Sequence, residues 1–155
     1  MTPAIKLLAK AGIPFSLHEY EHDPKNNAYG LEAADKLAVS VEKVFKTLVV
    51  RLESEECVIA VVPVPRLLSV KLIAKLAGSK KASLAEPLEA ERTTGYVLGG
   101  VSPLAQKKKL KTFIDASAQN HNTIYVSGGR RGLEIELSPI DLAKLCDSEF
   151  AELCL

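Results

Sequence analysis

Val44-Phe45-Lys46-Thr47-Leu48-Val49-Val50-Arg51-Leu52 and Cys57-Val58-Ile59-Ala60-Val61-Val62-Pro63-Val64, parted by Glu53-Ser54-Glu55-Glu56, decide the fold class. Both runs are dominated by β-branched and apolar residues, and the polar tetrad between them is a turn. They read as an antiparallel hairpin. Pro63 and Pro65 end the second strand. Upstream, Thr2–Ala11 reads as a helix with Thr2 as its cap and Pro3 in its first position, stopped by Gly12. Phe15–Tyr20 then alternates: Phe15 and Leu17 share one face, while Ser16, His18 and Tyr20 share the other. After a loop from Asp23 to Gly30, a short helix is expected over Leu31–Leu37.

Downstream, Ser69–Leu76 is a capped helix ending at Gly78, and Pro87–Arg92 is another short one. Gly95–Pro103 reads as a strand running into a glycine-proline loop. Thr112–Asp115 and Thr123–Val126 are strands, and Ser127–Gly132 turns the chain into the strand Leu133–Leu137. Ser138-Pro139-Ile140-Asp141 opens the final helix. Strands and helices interleave without a regular βαβ period, and two strand pairs look like hairpins. A mixed sheet or partly closed barrel with flanking helices fits better than a doubly wound parallel sheet. No linker divides the 155 residues, so a single domain over residues 1–155 is expected.

Composition narrows the function classes. Hydrophobic residues are 47% and charged residues 25%, the balance of an ordinary globule, and with 5% aromatics the core is aliphatic. A formal charge of +1 argues against bulk nucleic-acid coating. The charges are unevenly placed, however. Residues 104–131 carry six basic side chains (Lys107, Lys108, Lys109, Lys111, Arg130, Arg131) against Asp115 alone, whereas residues 132–155 carry six acidic and one basic. The basic segment is either a solvated surface or a rim for a polyanion. Cys57, Cys146 and Cys154 form no CxxC pair and suggest neither a disulfide framework nor a zinc knuckle. The N-terminus lacks signal-peptide features and no apolar run is long enough to span a bilayer, so a reducing cytoplasm is the expected home.

His18-Glu19-Tyr20-Glu21-His22 matches the HExxH zinc-protease pattern literally. That chemistry needs both imidazoles on one helical face, whereas this segment continues a strand alternation. Residues four apart in a strand are separated by about 13 Å, too far for one ion. It is read as a chance match, and no metal or cofactor is called for. Lys46 is more informative, because period two puts it on a face with Leu48, Val50 and Leu52. It either snorkels out at the strand end or stands in a pocket, where its ammonium would hold an anionic or carbonyl oxygen. Gly99-Gly100-Val101-Ser102-Pro103 can bring backbone N–H groups close to a ligand, with Pro103 restraining Ser102. Ser127–Gly132 is a hairpin turn that also exposes Arg130 and Arg131. Glu134 and Glu136 sit on the polar face of their strand and are expected to be solvated, while Cys57 is expected in the core.

Several of these segments in order resemble one family. Tyr20-Glu21-His22-Asp23, Val44–Leu48, Thr94-Gly95-Tyr96 through Gly99–Leu104, and Ile124–Gly129 with Gly132–Ile135 are similar to the YbaK group of single-domain aminoacyl-tRNA deacylases. That group is related to the editing domain of bacterial prolyl-tRNA synthetases, and the match runs from Met1-Thr2-Pro3 to the final helix. The resemblance implies an α/β (α+β) fold with a mixed, mostly antiparallel β-barrel-like sheet surrounded by helices. It implies that Lys46 is essential, that the GxxxP loop with Gly99 and Gly100 acts at the ester, and that Tyr20, Ser127 and Glu134 belong to the pocket; Tyr29, Thr47, Ser102 and Pro103 are expected to bind substrate beside them. Lys107, Lys108, Lys109, Arg130 and Arg131 would meet tRNA.

The implied substrate is a mischarged tRNA, above all Cys-tRNA(Pro), whose own thiol would attack its carbonyl and leave as a thiolactone. Prolyl-tRNA synthetase and elongation factor are the implied partners. Hydrolysis of Ala-tRNA(Pro) by water, or a non-catalytic module that binds a nucleotide or tRNA end, are the alternatives. Two departures stand out: Ala105 where the family usually has glycine, and Glu134 where Asp is frequent.

Overall fold

A computed structural model describes the whole chain, Met1–Leu155. Five helices and eight strands follow one another as α1 (Pro3–Ala11), β1 (Ser16–Glu19), α2 (Tyr29–Leu37), β2 (Phe45–Leu52), β3 (Cys57–Pro63), α3 (Val70–Leu76), β4 (Ala82–Leu84), α4 (Pro87–Thr94), β5 (Thr112–Asp115), β6 (Ile124–Ser127), β7 (Leu133–Leu137), α5 (Pro139–Cys146) and β8 (Glu149–Ala151). The strands form a three-stranded antiparallel sheet, β1-β7-β6, and a five-stranded sheet, β4-β2-β3-β5-β8. In the larger sheet β3 pairs with β5, and β5 with β8, in parallel, while the other pairs are antiparallel. A parallel bridge between Val44 and Tyr125 joins the sheets at the start of β2. The result is barrel-like without closing.

The β2–β3 hairpin forms as expected, with Phe45 opposite Pro63 and Arg51 opposite Cys57. Its continuous apolar character follows from burial on both faces. Ile59 and Val61 point with Phe45 and Val49 into the main core, enclosed by both sheets, α1 and α5. Val58, Ala60 and Val62 point the other way, with Val50 and Leu52, to pack beneath Ile73 of α3. A third, small cluster joins Ala33 and Ala34 of α2 to Val44 and Tyr125.

The helix caps also hold: Thr2, Ser69 and Ser138 accept from N–H groups of their first turns, and Gly12 closes α1 at φ 70°. Three expectations are corrected. Gly95–Pro103 contains no strand: α4 runs on to Thr94, Gly95 caps it in the left-handed region, and turns and bends follow. Helix α2 begins at Tyr29 rather than Leu31, because Ala28 makes no side-chain cap that would mark its start. Strands β4 and β8 were not foreseen; each has three residues at a sheet edge, too short to show an alternation.

Candidate active site

Where β2 begins beside β6, a cavity of about 350 Å³ opens under α2 and the 97–103 loop. It collects Tyr20, Tyr29, Lys46, Thr47, Gly99, Ser127 and Glu134 from six separate segments of chain. Gly100, Ser102 and Pro103 do not line it. The Gly100 N–H is spent within the turn, donating to Val97 O at 2.9 Å. Ser102 is fully buried and its Oγ accepts from the Leu104 N–H. Pro103 borders a separate, smaller cavity beside Cys146.

Lys46 and Thr47 are neighbours near the start of β2, opposite Val62 and Val61. Lys46 lines the cavity half-buried, and no carboxylate forms an ion pair with it. Burial pulls its pKa down, with Cys154 acting in the opposite sense. The Thr47 Oγ1 is buried without a hydrogen-bond partner. Glu134 lies opposite His18 on one side and Ser127 on the other. Contrary to the solvated face expected for it, Glu134 is only 7% exposed, because α2 and the start of β2 cover that part of the small sheet. No protein group hydrogen-bonds its carboxyl, and burial pushes its pKa up to about 8, so it is largely neutral at pH 7. Burial first, then the Glu134 and Glu32 carboxylates, push the Tyr20 phenol up to about 12 against a hydrogen bond with the Gly132 backbone. Glu136, two residues on, is held below its ordinary value, mainly by the Thr123 hydroxyl, with burial opposing and His18 assisting.

The roof is made by Tyr29 and the 97–103 loop. Gly99 sits at φ 82°, and a Cβ there would lie 2.7 Å from the Tyr29 ring, so only glycine lets the ring rest on the backbone. The N–H groups of Gly99 and Val101, both cavity-lining residues, donate to no protein group. Two free donors at the edge of an apolar cavity are suited to an ester carbonyl as charge develops on it.

The two histidines of the HExxH string are tied to different carboxylates. His18 Nε2 meets Glu136 Oε1 at 2.9 Å, and His22 Nδ1 meets Glu32 Oε1 at 2.6 Å. Glu32, buried to 3% exposure, escaped the sequence reading. Burial raises its pKa, but the Asp23 N–H, His22 and Lys36 outweigh it and hold the carboxyl below its ordinary value. Its signal was a glutamate beside Ala33-Ala34 on the core-facing side of a short helix. Leu31 and Val64 of the lining were also missed, since isolated aliphatic residues carry no chemical mark.

No cysteine lines the cavity, and burial pushes the Cys57, Cys146 and Cys154 thiols up, the latter two to about 12 and about 11. Cys57, expected in the core, is half-buried against it. The cavity thus presents a cation, backbone donors and a neutral carboxyl, but no activated protein nucleophile. No group of three or more His, Cys, Asp or Glu side chains is placed to hold a metal ion, and no helix is long and apolar enough to cross a membrane.

The expected tRNA contacts lie outside the cavity. The Lys107 and Lys108 N–H groups bond to Thr94 O and Thr93 O, which ties their segment to the end of α4. Lys109 borders the smaller cavity beside Pro103. Arg130 pairs with Glu19 at 3.3 Å, and the Arg131 guanidinium lies 4.9 Å from the centre of the Tyr29 ring.

Residues 25–145 match the family model described as an aminoacyl-tRNA editing domain. An Enterococcus faecalis protein, provisionally named Cys-tRNA(Pro)/Cys-tRNA(Cys) deacylase EbsC, is 33% identical over 98% of this chain and 92% of its own. Among solved structures, the hypothetical protein APE2540 is similar at 27% identity and a TM-score of 0.89, covering 99% of this chain and all of that one. A crystal structure provisionally titled as a trans-editing enzyme for prolyl-tRNA synthetase shares the fold at 22% identity, with a TM-score of 0.85 over 100% of this chain and 99% of that one.

Proposed function

Because the chain belongs to the aminoacyl-tRNA editing domain family, we propose that its cavity takes the 3′ end of Cys-tRNA(Pro) and cleaves the cysteinyl ester. At the coarser level the assignment is an editing deacylase acting on mischarged tRNA. The observation that carries the finer reading is the pairing of an uncountered Lys46 with free Gly99 and Val101 N–H groups in a cavity lacking a protein nucleophile. The name of the Enterococcus faecalis relative supports cysteine on tRNA(Pro). A volume of about 350 Å³ stands at the small end of ligand pockets, which run from about 300 to 1,000 Å³, and suits an aminoacyl-ribose rather than a whole nucleotide.

In this reading Lys46 holds the phosphate or ribose of the terminal adenosine, while Gly99 and Val101 receive the carbonyl oxygen as it becomes an oxyanion. The cysteine sulfur attacks its own carbonyl carbon. A C–S bond forms, the C–O bond to the ribose breaks, and the thiol proton passes to the departing ribose oxygen. The strained thiolactone then opens in water to free cysteine. The cleavage step is thus lyase-like, and proximity of thiol and ester within one bound residue replaces a protein nucleophile. Tyr20, Tyr29, Thr47, Ser127 and Glu134 form the walls against the aminoacyl group. Ser102 and Pro103 shape the loop from beneath, and Gly100 does so by close packing. Residues 1–155 work as one domain. Lys107, Lys108, Lys109 and Arg130 approach the acceptor stem of a tRNA handed over in the cytoplasm by prolyl-tRNA synthetase or elongation factor.

Substituting the substrate tests the route. With Cys-tRNA(Pro), Ser-tRNA(Pro) and Ala-tRNA(Pro) under single turnover, only the cysteinyl ester is expected to be cleaved fast. A hydroxyl attacks far less readily than a thiol, and the alanine side chain carries no nucleophile. Equal rates for cysteine and alanine would replace the thiolactone route by attack of water.

A further inference from the structure

Arg131 belongs to the basic segment, and as an exposed arginine beside a cavity it reads as a phosphate contact. Its surroundings say otherwise. Its Nε donates to Leu98 O at 2.8 Å, and its guanidinium lies 4.9 Å from the centre of the Tyr29 ring. That ring rests on the Gly99 backbone, and a Cβ on the next residue, Gly100, would come within 2.8 Å of Arg130 Cα. The Leu98–Gly100 strip is therefore clasped between Tyr29 and the Arg130-Arg131 turn.

The two sides of this clasp are unequal in stiffness. The turn is braced by the β6–β7 pairing, by the Gly128 N–H to Leu133 O bond at 2.8 Å, and by the Gly129 N–H to Ser127 Oγ bond. Tyr29 is braced by His22, 5.8 Å away between ring centres, which the buried Glu32 holds at 2.6 Å. By contrast, Leu98 is 45% exposed, and besides Arg131 its backbone is held only by a 3.3 Å bond from its N–H to Glu91 Oε1. The free Gly99 N–H directly follows this weakly held residue.

We propose that Arg131 is a positioning residue that fixes the Leu98–Gly99 backbone by donating to Leu98 O while stacking on Tyr29, and so aims the Gly99 and Val101 N–H groups at the substrate ester. The inference rests on the deacylase reading for its catalytic consequence, but the clasp itself does not. The role demands arginine: a planar guanidinium stacks on the ring and presents Nε–H in its plane, whereas a lysine ammonium does neither. A phosphate contact, by contrast, is a matter of charge, which lysine supplies.

Two readouts on wild type, Arg131→Lys and Arg131→Ala separate these roles. In hydrogen exchange of the free protein, both variants are expected to show faster exchange confined to residues 97–103. In deacylation of Cys-tRNA(Pro), both are expected to lose about tenfold or more in kcat. Their KM for tRNA should change less than about twofold, and the slope of log(kcat/KM) against log salt should stay at the wild-type value. Arg131→Lys restoring full activity, or Arg131→Ala raising KM and making the slope shallower by about 0.9, would make Arg131 a phosphate contact and overturn the proposal. Unchanged exchange at residues 97–103 in both variants would overturn it regardless of activity. An inactive wild-type protein would count against the deacylase reading and leave the exchange result to decide the clasp.

Discussion

Glu134 shows how far a residue's meaning depends on what covers it. Leu133-Glu134-Ile135-Glu136-Leu137 alternates cleanly, and the two glutamates look equivalent. In the fold Glu136 is paired with His18 and Thr123, while Glu134 faces the cavity unpaired. The difference comes from α2, whose packing over the small sheet is a long-range contact that no local pattern encodes. Because burial lifts the Glu134 pKa to about 8, the folded state holds a proton that the unfolded chain releases in the usual carboxylate range. Its contribution to stability is therefore complete below about pH 4 and is lost as pH rises through about 8. Glu134→Gln keeps the shape without the titration. Urea denaturation of both proteins at pH 5 and pH 8 is expected to show wild type losing on the order of 3 kcal/mol relative to the variant. Parallel pH profiles would mean that Glu134 is solvated or paired.

At the scale of elements, legibility followed hydrophobic pattern and capping chemistry. The β2–β3 hairpin was readable because two apolar runs of strand length flank a polar turn, and α1, α3 and α5 because Thr2, Ser69 and Ser138 cap them. The loop after α4 was misread as a strand because Tyr96, Val97 and Leu98 look strand-like. What defeats a strand there is Gly95 and Gly99, both in the left-handed region, and the docking of the loop between Tyr29 and the Arg130-Arg131 turn. Gly99→Ala tests that account. The new methyl group meets Tyr29 and sits at a φ that alanine adopts at a cost of about 1–2 kcal/mol. The variant is expected to lose at least that much stability in thermal or urea unfolding. Adding Tyr29→Ala should cost less in this background than in wild type, because the clash disappears with the ring. Strictly additive losses would mean that the ring does not rest on Gly99.

Across the whole molecule, the near-neutral formal charge of +1 hides a division of labour among the cations. Arg131 is engaged with Tyr29 and Leu98, and Arg130 with Glu19. In the proposed role Lys107, Lys108 and Lys109, with Arg130 in its exposed pair, are left for transient contact with an acceptor stem. The site as a constellation was legible only through ordered motifs resembling a family, because its members come from the segment after β1, α2, β2, the 97–103 loop, β6 and β7. Their meeting depends on two sheets joined at Val44 and Tyr125. At the centre of that constellation stands Lys46, a cation half-buried without a counterion. The most direct test is release of cysteine from Cys-tRNA(Pro), with Pro-tRNA(Pro) alongside, by wild type, Lys46→Ala and buffer alone. The account predicts fast release by wild type, a loss of about 100-fold or more in Lys46→Ala, and Pro-tRNA(Pro) left intact. Cys-tRNA(Pro) decaying no faster with wild type than in buffer, or a fully active Lys46→Ala, would contradict it.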